Sequence, residues 1–224
     1  MRIFWCETDP WLALPSITKA FSERTGISTA DFFCHEDLVP HAAGRFLLLR
    51  ALRQYRADCV PALSYEIPGG KPYISGGPAF SISHAGNVAV CACSERQLGI
   101  DIEVVSAMAQ PPLHVLQPEE LAYLRGFTEE HRDRAFCQLW TQKESLLKAQ
   151  GRVLADLFLQ ESVITPDLRW KDYAEGFFLH RLDFLEPEYA AAVSMEIDEM
   201  IEITRLELPG SIRQLSELLH WGRS

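Results

Sequence analysis

Leu98-Gly99-Ile100-Asp101-Ile102-Glu103 alternates apolar and acidic side chains, the pattern of a short β-strand. On a strand Asp101 and Glu103 point to one face, and Ile100 and Ile102 point to the other, into a core. Two carboxylates side by side repel each other, and folding gains nothing from the pair. Such a pair is stable on a wet sheet edge, or where a cation sits between the two groups. The pattern alone suits a solvated edge, so the reading turns on what else converges there.

A second pattern follows some forty residues on, in Trp140-Thr141-Gln142-Lys143-Glu144-Ser145-Leu146-Leu147-Lys148. It belongs to a long helix expected over His131–Gln150, whose stripe of Ala135, Phe136, Leu139, Leu146 and Leu147 faces a core and which Gly151 stops. Trp140, Glu144 and Leu147 share a face, and Lys148 lies one turn beyond Glu144. The spacing equally describes an ordinary i,i+4 Glu–Lys pair on a helix surface.

The remaining elements surround these two. Arg2–Cys6 reads as a first strand, and Trp11–Arg24 as a helix or turn-rich segment weakened by Pro15. His41–Tyr55 has a helical apolar stripe with Arg45, Arg50, Arg53 and Arg56 on its other side, fitting a solvated face or a phosphate-binding one. Turn signals come next: Pro68-Gly69-Gly70, Lys71-Pro72 and Gly76-Gly77-Pro78. Lys71 is rigidly presented between Gly70 and Pro72. Phe80–Ser83 leads through Ala85-Gly86-Asn87 into Val88–Ser94, a hairpin, with Phe80, Ile82 and His84 on one face and Ser81 and Ser83 on the other.

Met108–Pro112 reads as a linker, and Pro118-Glu119-Glu120 as a first helical turn. Strands return at Phe177–Leu182, Tyr189–Met195 and Ile201–Leu206, and a helix over Ile212–Leu219 closes the chain. Helix followed by strand pair thus occurs twice, with little residue identity between the copies. This implies a pseudo-duplicated α+β fold of two similar α/β halves, 1–106 and 107–224, with a site in the seam.

Composition excludes some partners. The 224 residues hold enough apolar material for a sizeable core, and a net charge of -10 argues against a nucleic-acid backbone or an anionic membrane as partner. A local basic pocket for a phosphorylated ligand remains compatible with that charge. Cysteines 6, 34, 59, 91, 93 and 137 form no paired metal motif and read as reduced thiols. With Glu7 and Asp9 so early, no signal-peptide core and no apolar run of membrane length, the expected location is cytoplasmic.

Taken together, Gly70-Lys71-Pro72, Phe80-Ser81-Ile82-Ser83-His84, Gly99-Ile100-Asp101-Ile102-Glu103 and Trp140-x-x-Lys143-Glu144-x-x-x-Lys148 resemble the 4'-phosphopantetheinyl transferases of the single-chain, surfactin-synthetase-activating (Sfp) type. The resemblance implies that family's fold and a transfer of phosphopantetheine from coenzyme A to a serine of an apo acyl, peptidyl or aryl carrier protein, releasing adenosine 3',5'-bisphosphate. It implies Mg2+, with Mn2+ an alternative, held by Asp101, Glu103 and Glu144.

It further implies coenzyme A contacts from Lys71, Ser83, His84 and Lys148, and a catalytic set of Glu144, Lys148 and Asp101, with Glu144 or Glu120 as the base. Arg45 is the expected 3'-phosphate ligand, since the region before it offers few other basic residues. The duplicated chain is expected to work as a monomer. Two other functions use the same residues: a non-catalytic regulator binding coenzyme A or a carrier protein, and a metal-dependent nucleotide phosphohydrolase.

Overall fold

Strand β1 (Arg2–Glu7) pairs antiparallel with β5 (Val88–Ser94), which pairs antiparallel with its hairpin partner β4 (Ala79–Ala85). The computed structural model describes residues 1–25, 34–55, 64–65, 71–105 and 112–219. Arg56, Cys59 and the expected turn 68–70 and linker 108–111 lie outside them. The distant β10 (Glu202–Arg205) adds to β1 in parallel, giving a four-stranded sheet in the order β10-β1-β5-β4.

The second sheet runs β6-β9-β8-β7, from β6 (Leu98–Val104), β7 (Tyr173–Ala174), β8 (Phe177–Leu182) and β9 (Tyr189–Met195). β6 precedes residues 108–111 in the chain yet pairs antiparallel with β9, placing Asp101 opposite Ala192. Each sheet therefore holds one strand from the far side of that segment. A two-stranded ribbon, β2 (Ser64–Tyr65) and β3 (Pro72–Tyr73), precedes β4.

The helices follow the apolar patterning. Pro15 divides the expected Trp11–Arg24 segment into α1 (Asp9–Leu12) and α2 (Pro15–Thr25), because its missing N–H suits a first helical turn better than an interior. α3 (His35–Tyr55) starts a turn and a half before His41, with Glu36 and Asp37 at its positive end. α4 (Pro118–Arg125) and α5 (Glu129–Gln150) follow, and Gly151 ends α5 in the left-handed conformation, φ 69°. α6 (Ile212–Leu219) buries Leu215 in the first core.

Strand alternation sorts the side chains into three cores. Ala89, Cys91 and Cys93 of β5 face α3, whereas Val88, Val90 and Ala92 face Ile100 and Ile102 of β6 and Val193 of β9. A further core under α5 gathers Phe136, Leu139, Leu146 and Leu179. The result is an α+β architecture of two packed sheets, each backed by a long helix. With Ile100 and Ile102 turned towards the first sheet, Gly99, Asp101 and Glu103 face α5. The five described cysteines are all free thiols, and only Cys34 is exposed.

Candidate active site

Two glycines let the helices approach the seam between β4 and β6. A Cβ on Gly99 would run into the Ser145 carbonyl and the Ala149 nitrogen, so β6 lies directly against the α5 backbone only because this residue has no side chain. Gly44 of α3 abuts Ile82 of β4 in the same way. The rotation of α5 is fixed by a buried polar cluster: Ser145 and Ser194 share a hydrogen bond of 2.8 Å, and Gln142 Nε2 reaches both hydroxyls. Glu144 and Lys148 are thereby held above the acidic face of β6.

Asp101, Glu103 and Glu144 each place a carboxylate oxygen within 4.8 Å of the others. Asp101 is 2% exposed. Its Oδ1 accepts from Ser83 Oγ at 2.8 Å and from Lys148 Nζ at 2.5 Å, while its buried Oδ2 has no hydrogen-bond partner among the described residues. Lys148 Nζ also donates to Ser83 Oγ at 3.1 Å and lies 3.7 Å from Glu144 Oε2. One ammonium thus faces three carboxylates.

The electrostatics record that imbalance. Burial, then the charge of Asp101, pushes both Glu103 and Glu144 up to about 7, against the opposing pull of Lys148. Burial disfavours the Lys148 ammonium, but Asp101 and Glu144 outweigh it and hold its pKa above the ordinary lysine range. A cluster of hard oxygen donors with an unpartnered buried oxygen fits a small dication of the Mg2+ or Mn2+ class. Trp140 is buried, stacks on Phe136 and helps to lower the pKa of both glutamates, so it borders the cluster on the helix side.

Ser83 and His84 are neighbours in sequence but face opposite sides of β4. His84 meets His41 of α3, ring centroids 4.8 Å apart. Burial, then His41 and Lys148, drive His84 down to about 4. Arg45, one turn after His41, contributes to lowering the His41 pKa, after burial, so it stands close beside this pair. Lys71 sits apart from the carboxylates: its amine donates to the Leu98 carbonyl at 2.6 Å, and burial lowers it to about 8. It lines the cavity that Ser81, Glu144 and Lys148 also line.

Glu120 does not join the carboxylates. Its Oε1 accepts from Lys143 Nζ at 3.2 Å and from the Val163 nitrogen at 3.0 Å, and its Oε2 accepts from the Gln117 nitrogen at 2.8 Å. Both side chains of the Glu120–Lys143 pair are fully buried. The pair clamps α4 to α5, which leaves Glu144 and not Glu120 at the site. From sequence alone Gly99 enters only as part of the motif, Arg45 is preferred to His41, and Gly44 has no role. The one available signal was the spacing of His41 four residues before Arg45.

Residues 97–194 match the model of the 4'-phosphopantetheinyl transferase superfamily, a span that holds β6, α5 and all three carboxylates. Enterobactin synthase component D of Escherichia coli is 39% identical over 174 residues, covering 73% of this chain and 74% of that protein. The chain belongs to the 4'-phosphopantetheinyl transferase superfamily. Two other relatives are the 4'-phosphopantetheinyl transferases HetI of a Nostoc species and Sfp of Bacillus subtilis. HetI is 35% identical over 145 residues, 60% of this chain and 61% of its own length. Sfp is 29% identical over 128 residues, 55% of this chain and 57% of its own length. The match to each of these two thus spans less than two thirds of the relative. As a superfamily member, the chain has its matched span centred on the seam, where the carboxylates, Lys148 and Ser83 meet.

Proposed function

We propose that this chain transfers 4'-phosphopantetheine from coenzyme A to a serine of an apo acyl, peptidyl or aryl carrier protein. The observation that carries the reading is the buried Asp101–Glu103–Glu144 cluster, with Lys148 and Ser83 converging on Asp101. Mg2+, or Mn2+ in its place, bound by these three carboxylates would offset the charge that builds on the pyrophosphate oxygens during transfer. Asp101 Oδ2, desolvated and without a hydrogen-bond partner among the described residues, is the oxygen best prepared for it.

The chain's own residues supply the rest. Lys148 places its ammonium beside the pyrophosphate, and Ser83 orients Asp101 from across the seam. His84 packs on His41, which stands near Arg45, a group suited to the 3'-phosphate of coenzyme A, and Lys71 lines the approach. Glu144, which lines the cavity beside Lys148, suits the removal of the serine proton. The serine Oγ bonds to the phosphorus that carries pantetheine, the bond from that phosphorus to the adenylate side breaks, and adenosine 3',5'-bisphosphate leaves with the electron pair.

All of these residues lie in one chain, which supports a working monomer of two halves, 1–106 and 107–224, each lending a strand to the other's sheet. Among the described residues no helix is long and apolar enough to cross a membrane, which agrees with a cytoplasmic enzyme. Release of adenosine 3',5'-bisphosphate from coenzyme A, followed with and without an apo carrier, tests the reading. Carrier-dependent release is expected. Equal release without a carrier would make water the acceptor and the chain a phosphohydrolase, and coenzyme A binding without release would make it a regulator.

A further inference from the structure

The turn Leu154–Leu159 that follows α5 presents apolar side chains to solvent: Val153 is 51% exposed, Leu154 56%, Phe158 60% and Leu159 62%. This is not a loose segment. Leu157, 2% exposed, anchors it in the core under α5. The Gln117 side chain donates to the carbonyls of Phe158 at 3.3 Å and Gln160 at 2.9 Å, and Gln160 Nε2 donates to the Lys143 carbonyl at 3.1 Å. A fixed backbone that holds four large apolar groups in water stabilises nothing within the fold, and such patches mark interaction surfaces.

Its position names the partner. Val153 and Leu154 line the same cavity of about 330 Å³ as Ser81, Glu144 and Lys148. On the function proposed above, on which this inference rests, a protein must bring its serine hydroxyl to a phosphate beside Asp101, so it must touch the rim of this cavity. Charge gives it little to hold here. The chain carries a net charge of -10, and Arg152 at the rim is already engaged by Asp156 at 3.7 Å and Glu175 at 3.8 Å. We infer that Val153, Leu154, Phe158 and Leu159 form the docking surface for the carrier protein, and that the carrier meets it with an apolar face beside its acceptor serine.

The test measures transfer from coenzyme A to an apo carrier that the parent chain modifies, comparing Phe158→Ser and Leu159→Ser, both at residues outside the cavity lining, with the parent. Truncating central apolar contacts should raise the carrier KM by about tenfold or more, with the coenzyme A KM within about twofold. Met200→Ser, at an apolar residue 80% exposed and outside this cavity, should change neither. An unchanged coenzyme A KM also reports that the variants are folded. Unchanged carrier KM in both variants overturns the docking surface while leaving the transferase intact. So does a patch variant whose only change, by size-exclusion chromatography, is from dimer to monomer, since a second copy then covers the patch. Absence of transfer by the parent on any carrier overturns the function itself, and the docking surface with it.

Discussion

Ser83 Oγ donates to Asp101 Oδ1 at 2.8 Å, and this hydrogen bond crosses from the edge strand of one sheet to the edge strand of the other. Two residues back along β4 and one back along β6, the Ile100 nitrogen donates to Ser81 Oγ at 3.1 Å. β4 and β6 share no backbone ladder, so serine side chains stitch the seam where two backbones would otherwise pair. The small hydroxyls let Asp101 sit deep in the seam and still be oriented. Lys148 then reaches the same oxygen from α5.

Asp101 is the residue on which the cluster depends. Asp101→Ala should lower phosphopantetheine transfer by about a hundredfold or more, the scale of losing a principal electrostatic group. Its response to Mg2+ in a calorimetric titration should weaken in parallel, while far-UV circular dichroism stays unchanged. A variant with near-parental turnover would remove Asp101 from the metal site.

Glu103 and Glu144 make a pH prediction for the metal-free protein. Both sit at about 7 when folded against an ordinary value of 4.5, so the folded chain holds their protons more firmly than the unfolded one. The stability this confers is complete below about 4.5 and is lost as pH rises through about 7. In chelator, Tm should therefore fall across this window for the parent and fall less for Glu103→Gln/Glu144→Gln. Parallel curves for the two proteins would contradict the assignment.

Gly99 sets the distance between β6 and α5. Gly99→Ala should cost about 1–3 kcal/mol of stability, as overpacking does, and should lower transfer in the fraction that remains folded, because Glu144 and Lys148 ride on the displaced helix. Chemical denaturation and turnover below the transition would show both effects. An alanine variant as active and stable as the parent would mean that the helix contact is loose.

The Glu120–Lys143 pair separates structure from chemistry. Glu120→Ala leaves an uncompensated buried ammonium and should destabilise the chain by about 3–5 kcal/mol, whereas Glu120→Leu/Lys143→Met should recover much of that loss. Activity per folded molecule should follow recovery in the double variant. If the double variant folds well but is inactive, Glu120 acts in the chemistry after all.

Local pattern carried a large share of this molecule. Alternation in Leu98–Glu103 gave the strand and the face on which its acids lie, and β8, β9 and α6 have the bounds that their apolar runs imply. Trp140 and Glu144 share the helix face that spacing assigned them. What spacing could not supply was long-range pairing. Nothing within residues 98–104 says that they pair with Tyr189–Met195, or that β10 returns to lie parallel to β1. Nor does Lys143 announce that it turns inward, since an i,i+4 rule describes one helix and Glu120 lies on another. Gly99 reads as a mild strand weakness until the helix backbone is seen against it.

The central claim is tested most directly by the intact mass of an apo carrier protein incubated with this chain, coenzyme A and Mg2+. The expected result is a gain of one phosphopantetheine group, absent when the carrier's acceptor serine is replaced by alanine and absent in chelator. A folded chain that leaves the mass of every carrier in a panel of acyl, peptidyl and aryl types unchanged would contradict the account.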